Sequence, residues 1–386
     1  VTIMKNKLFG AALLSAGICA AGTSHAQAGS YQFIDLGPGS VSGMNDLGQV
    51  IGQTSSGATL WNGSTASLLS NPVYSGAHAI NDAGLVAGDA LENNSHFIPV
   101  LWNGSTQIPL QVGASGHGEA NGINASGQVV GDANGTATIW TNGVPSSLTV
   151  GVSSNLTSAT AINNAGQAVG YVQLNNGATY GVLWNGSGNG TLLSTLGGGM
   201  SNPFAINNAG VAVGVATNAA GTMYATEWHG NTATQLAVLA GTTSSNAFAI
   251  NDAGVIVGRS TDTRGYGVAT LWDGNNVINL NNYLNPSVRQ AGWLLENAIS
   301  INQNGWIVGD AQNLKTGASE AFELQVLNPV PEADTWAMLL AGLGLIGASL
   351  RRKRQSPSNI AKHGKLSLQF GRVYQNMPAG KIACQV

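Results

Sequence analysis

The sequence predicts an all-β fold, a seven-bladed β-propeller, from three observations. The first is a repeated pattern, apolar-Asn-x-x-Gly-x-x-x-Gly, seen complete in Ile250-Asn251-Asp252-Ala253-Gly254-Val255-Ile256-Val257-Gly258. It occurs seven times, at Asn45, Asn81, Asn124, Asn163, Asn207, Asn251 and Asn302, spaced from 36 residues (45 to 81) to 51 (251 to 302). A repeat of that period marks stacked supersecondary units. The second is a Trp that follows the Asn by 16 to 21 positions: Trp61, Trp102, Trp140, Trp184, Trp228 and Trp272, with Phe322 taking the place in the last copy. The third is the apolar doublet after the first glycine, as in Val50-Ile51, Val129-Val130 and Ile256-Val257. A strand apolar on both faces is buried on both faces, as in sheets stacked around an axis.

Each unit reads as four strands. Ala249-Ile250-Asn251 ends the first. Asn251 to Gly254 is a turn, with the Asn side chain bonding the backbone and the Gly free to take positive φ. Val255 to Val257 begins the second strand, and the Trp lies on the third. Asn-Gly or Asp-Gly pairs such as Asn62-Gly63 and Asp273-Gly274 then signal a two-residue hairpin. A Leu-bearing strand, as in Ser67-Leu68-Leu69, closes the unit. An open β-solenoid is the alternative architecture, with shorter and more uniform repeats as its usual mark.

The chain starts with an expected secretory signal over 1–28. Lys5 and Lys7 precede an apolar core from Leu8 to Ala21, and Ser24-His25-Ala26 and Ala26-Gln27-Ala28 are both small-x-small cleavage candidates. The propeller is expected over 31–328. Tyr31-Gln32-Phe33-Ile34-Asp35-Leu36 resembles a closing strand without its first three partners, and the last unit is one strand short at Glu323-Leu324-Gln325-Val326-Leu327. The N-terminal strand is therefore expected to complete the last blade and remove an exposed sheet edge.

Composition shifts after Asn328. An apolar run from Trp336 to Leu350 ends in Arg351-Arg352-Lys353-Arg354. As a helix it spans roughly 23 Å, and Trp336 with snorkelling arginines extends it toward the ~30 Å hydrocarbon core. A transmembrane helix is expected within 330–354, with its basic end cytoplasmic. Residues 355–386 carry no strong pattern and read as a disordered tail.

Charged residues make up only 8% of the chain, and Gly accounts for 54 of 386 residues. A net charge of −3 gives no electrostatic footprint for nucleic acid. Both cysteines, Cys19 and Cys384, lie outside the repeats, which leaves the repeat body without a disulfide.

The Ala-Ile-Asn-Asp-Ala-Gly, Val-Gly and Leu-Trp-Asp-Gly elements resemble the HAF repeats of bacterial extracellular proteins, over about Tyr31 to Leu327. Val330, Pro331, Glu332, Thr335 and Trp336, the apolar run, and Arg351, Arg352, Lys353 and Arg354 resemble a PEP-CTERM sorting signal. This resemblance implies an exosortase, a membrane enzyme cleaving near the Pro-Glu, as a processing partner. It also implies an inner-membrane intermediate held by the C-terminal helix, then display at the cell surface or in an exopolysaccharide matrix. The chain departs from the pattern at Ala333, where the motif usually has Pro, and in the residues that follow the arginines.

No zinc spacing, nucleophile elbow or phosphate loop is present. The repeats' histidines, His78, His96, His117 and His229, read as surface or strand residues. The Asn-Asp turns lack the alternating carboxylates of a calcium loop, since Asn163-Asn164 and Asn207-Asn208 supply none. No cofactor, metal or catalytic residue is assigned. Three function classes follow: a structural or adhesive matrix protein, a carbohydrate-binding module, and a polysaccharide-acting enzyme. The last would need paired carboxylates, and Glu92, Glu119 and Glu296 read as loop residues. The residues after each second glycine are Gln53, Asp89, Asp132, Tyr171, Val215, Arg259 and Asp310. They are expected to begin the second-to-third-strand loops on one end of the ring. Of these, Asp89, Asp132, Tyr171 and Asp310 are the candidate ligand rim, with exopolysaccharide as candidate partner.

Overall fold

The computed structural model describes residues 31–69, 74–92, 95–113 and 116–327. The expected signal segment, the C-terminal helix with its sorting residues, and the tail lie outside these. Among the described residues no helix is long and apolar enough to cross a membrane.

Seven sheets follow one another along the chain, antiparallel except that Thr149–Val150 adds a fifth, parallel strand to blade 4, and all but the last are formed within one stretch of chain. Blade 6 is representative: strands Thr242–Ile250, Ile256–Asp262, Gly267–Asp273 and Asn276–Asn279 pair in sequence order. In blade 7 the order is Trp293–Ile301, Ile307–Asn313, Ser319–Val326 and then the N-terminal strand Tyr31–Gly37. Tyr31 pairs with Val326 and Phe33 with Leu324, so the ring closes non-covalently between the two ends of the repeat body. Phe33 stacks on Phe322 at 6.2 Å between centroids, and Tyr31 meets Tyr283 edge-on at 5.3 Å. The closed ring is a propeller and not an open solenoid.

Both repeated glycines have physical causes. The first takes positive φ in every copy, from 75° at Gly166 to 81° at Gly254. The second meets a backbone. A Cβ on Gly258 would lie 2.0 Å from the Asn246 carbonyl oxygen, and one on Gly131 1.9 Å from that of Glu119. The first strand bulges beside this glycine, as between Ala247 and Ala249, and the bulge brings the carbonyl in.

Five of the six repeat tryptophans lock their blade to the connection arriving from its predecessor. Trp61 donates to the Leu36 carbonyl at 3.1 Å, Trp140 to Gln111 at 2.7 Å and Trp272 to Ala237 at 2.7 Å, all with buried rings. Trp102 has no indole partner among the described residues. Blade 7 departs from the spacing-based expectation. Leu324, not Phe322, occupies the Trp position, since it pairs with Ile307 as Trp272 pairs with Ile256. Phe322 lies two residues earlier on the same strand face and packs against Gly309. The long 251-to-302 interval holds a 3-10 turn, Leu280–Tyr283, and a short helix, Pro286–Gln290, whose N-caps are Asn279 and Asn285.

Candidate functional site: a channel divided into two cups

The repeated Asn forms a ring around the axis. Its Oδ1 accepts backbone N–H groups at i+2 and i+4 in most copies, which closes the turn: Asn207 accepts from Ala209 at 3.1 Å and from Val211 at 3.0 Å. Its Nδ2 donates to the carbonyl of the same Asn in the next blade. The series runs Asn45 to Asn81, Asn124, Asn163, Asn207, Asn251 and Asn302, and back to Asn45, at 3.0 to 3.3 Å. All seven residues are buried. A second ring lies beside it, in which the next residue's N–H donates to the side-chain oxygen of its counterpart in the following blade. Examples are Asp46 to Asp82 at 2.9 Å, Asn208 to Asp252 at 2.8 Å and Gln303 to Asp46 at 2.8 Å. It is interrupted where Ala125 stands opposite Asp82. Burial, with the nearby charges of Asp82 and Asp252, raises the Asp46 pKa against the opposing Gln303 hydrogen bond.

The residue before each Asn is Met44, Ile80, Ile123, Ile162, Ile206, Ile250 or Ile301. This apolar girdle lines a cavity of about 200 Å³ on the amide side and contributes to a second of about 200 Å³ on the other side. The channel is therefore two cups separated by isoleucines.

The second cup, on the loop end, is lined by the residues three before each Asn: Ser42, His78, Asn121, Thr160, Phe204, Phe248 and Ile299. They divide by side. In blades 1 to 4 they are polar, and Ser42, Asn121 and Thr160 tie to the next blade. Ser42 Oγ donates to the Ala77 carbonyl, Asn121 Nδ2 to Ala159 at 3.1 Å, and Thr160 Oγ1 to Pro203 at 3.1 Å. In blades 5 to 7 they are apolar, and Phe204 and Phe248 lie 5.9 Å apart, tilted by 51°. The sequence reading passed over this position. Its signal was visible: within an otherwise regular repeat, this site changes from small polar to aromatic halfway along the chain.

The expected rim residues do not begin loops. They sit inside the second strands, Asp89 within Leu85–Glu92, Asp132 within Val129–Ala133, Tyr171 within Ala168–Leu174 and Asp310 within Ile307–Asn313. The strands run past the glycine because the bulge lengthens the first strand and the pairing continues beyond it. Glu92, Glu119 and Glu296 are likewise strand residues.

Three rim residues gather on adjacent blades. Asp89, 8% exposed, holds His78 Nε2 at 2.9 Å. Burial alone lowers the His78 pKa, but the Asp89 hydrogen bond and charge, with Glu119, outweigh it and the net shift is upward. Asp132 pairs across strands with Glu119. Burial raises the Asp132 pKa and Glu119 adds to this, against an N–H from Gly135. Burial, then Asp132 and Glu119, raise the Tyr171 hydroxyl pKa. Asp310 stands apart on blade 7, accepting from Asn297 Nδ2 at 3.3 Å, with its pKa raised by burial. Among the described residues no group of three or more His, Cys, Asp or Glu side chains is placed to hold a metal ion.

Fold and channel together define a seven-bladed propeller with a polar-apolar cup open at its loop end. Residues 329–354 match the PEP-CTERM protein-sorting motif, which marks the chain for surface sorting through an exosortase pathway. No curated protein matches the chain in sequence. Among solved structures it is similar in fold to TolB from Acinetobacter baumannii, with 12% identity and a TM-score of 0.39, covering 64% of this chain and 61% of that one. It is also similar to a gluconolactonase from Xanthomonas campestris, with 10% identity and a TM-score of 0.40, covering 78% and 91%. A third likeness is to the Aleuria aurantia lectin in complex with alpha-methyl-L-fucoside, with 13% identity and a TM-score of 0.35, covering 64% and 94%.

Proposed function

We propose that this secreted, exosortase-sorted propeller is a carbohydrate-binding module that attaches to exopolysaccharide through its loop-end cup. The observation that carries this is the division of the cup, with Phe204 and Phe248 on one side and Ser42, His78, Asn121 and Thr160 around the rest. A pyranose ring has the same two characters: an apolar C–H face that packs on an aromatic ring, and a hydroxyl edge that hydrogen-bonds. Display at the surface turns such binding into adhesion, so the structural or adhesive role is contained in this proposal. The HAF character of the repeats and passage through an inner-membrane intermediate belong to it too. The test is a glycan array probed with the 31–328 body and with its Phe248→Ala variant. Binding to at least one polysaccharide that the variant loses supports the proposal, and an array without signal overturns it. The intact mass of the protein from its native host tests the sorting step, which predicts removal of everything beyond Pro331.

A second proposal, a polysaccharide-acting hydrolase, draws on one observation: Glu119 and Asp132 are cross-strand neighbours, with the Asp132 pKa raised. A pair of carboxyl groups flanking the scissile bond is the arrangement a glycosidase uses. Release of reducing ends from the host polysaccharide, abolished by Glu119→Gln, would favour it over the binding module.

A further inference from the structure

On the cup's polar arc, Ser42, Asn121 and Thr160 have their donors already committed. The Ser42 hydroxyl proton is directed at the carbonyls of Ala77 and Ile51. That of Thr160 is shared between Val169 and Pro203, each at 3.1 Å. The Asn121 amide protons go to Ala159 and Ser158. His78 Nε2 is held by Asp89, while its Nδ1 is buried with no hydrogen-bond partner among the described residues. What remains open on Ser42, Asn121 and Thr160 is acceptor capacity: hydroxyl lone pairs and an amide oxygen. The carboxylates next along, Asp89 and Asp132, are acceptors as well. His78 Nδ1 is the uncommitted nitrogen of the arc and it is buried, so toward the cup the arc receives hydrogen bonds.

The floor adds a second constraint. The girdle of Met44 and six isoleucines separates this cup from the amide-ring cup, and the volume, about 200 Å³, falls below the ~300 Å³ at which ligand pockets commonly start. A cup of that size suits a single sugar unit better than a long segment.

Resting on the carbohydrate proposal, we infer that the cup takes the terminal unit of a neutral polysaccharide, end-on, and excludes uronic-acid termini. Neutral sugar hydroxyls donate to the acceptor arc while one ring face lies on Phe204 and Phe248. A carboxylate or sulfate brings acceptors and charge against acceptors, without a free donor facing the cup to compensate.

The experiment uses the host's own matrix polysaccharide, partly hydrolysed and separated on an anion exchanger into neutral and acidic oligosaccharide pools. Each pool competes for binding of the 31–328 body to the immobilised polymer. The neutral pool is expected to inhibit at least tenfold better by mass than the acidic pool. Its potency by mass should rise in proportion to the number of chain ends as fragments shorten. Phe248→Ala, accepted only if its melting temperature is within a few degrees of the parent, should weaken the neutral pool's inhibition at least tenfold. Equal or better inhibition by the acidic pool overturns the inference while the carbohydrate proposal stands. So does potency by mass that falls as the fragments shorten, which would indicate an internal segment. Glucosamine competing better than glucose would assign the arc to ammonium donors and also overturn it. Binding to neither the polymer nor its fragments removes the carbohydrate proposal itself.

Discussion

Asn302 Nδ2 donates to the backbone carbonyl of Asn45 at 3.2 Å, across 257 residues of chain. This bond is the seventh of a ring whose other six join neighbouring repeats, and it lies in the same seam as the pairing of Tyr31–Gly37 with Ser319–Val326. Closure is therefore secured twice, at the axis by an amide and at the periphery by a strand.

The amide tie can be separated from the turn. Asn302→Asp keeps the oxygen that accepts from Asn304 and Trp306 but sets an oxygen against the Asn45 carbonyl. Stability should fall by about 1–3 kcal/mol, the range for a buried polar group left without its partner. Denaturant titration reads this directly, and an unmoved midpoint would mean that the ring carries no net energy.

The second ring can be completed. Ala125→Asp supplies the missing acceptor opposite the Asp82 N–H, and a gain of about 0.5–1.5 kcal/mol is expected. The same substitution brings a fourth carboxylate near Asp46, Asp82 and Asp252, so the gain should grow with added salt. A loss at high salt contradicts the pairing.

Deleting residues 31–36 removes the peripheral closure. Tyr31 and Phe33 together contribute about 3–6 kcal/mol of burial, equivalent to a melting-temperature drop of roughly 6–15 °C. A melting curve identical to the parent's would refute closure by this strand.

The two repeated glycines should differ in tolerance. Gly254→Val strains a turn at φ 81° in open space, for about 1–3 kcal/mol. Gly258→Ala drives a Cβ to 2.0 Å from the Asn246 carbonyl oxygen and should prevent blade 6 from pairing. Soluble expression and circular dichroism of the two variants test the ranking.

Glu323 is 1% exposed with Oε2 unpaired among the described residues, and burial raises its pKa above 4.5 against a hydrogen bond from Gln325. A carboxyl with a raised folded pKa binds its proton more tightly in the folded state. Its ionisation penalty is thus absent below the unfolded pKa, grows as pH rises toward the folded one, and is complete above it. Glu323→Gln should stabilise the protein at pH 7 and lose that advantage as pH falls from the raised folded pKa to about 4.5, the unfolded value. Stability measured against pH for both proteins checks the sign.

The sequence by itself determined the blade number, the four-strand unit and the seam, because these rest on local chemistry repeated in place. Asn and Gly specify a turn wherever they stand at that spacing, and a doubly apolar strand demands burial on two faces. It also placed Phe322 at the Trp position, and there spacing misled: residues two apart on a strand share a face, so the count alone could not tell Phe322 from Leu324. Tertiary structure alone decided what the repeats do to one another. That each Asn reaches the next blade's carbonyl depends on the curvature of the ring, which no single repeat contains. The expected rim residues lie inside strands because bulges extend the pairing past the glycine. The cup exists because Phe204 and Phe248 meet His78 and Asn121 across an axis, and only closure of the ring creates that axis.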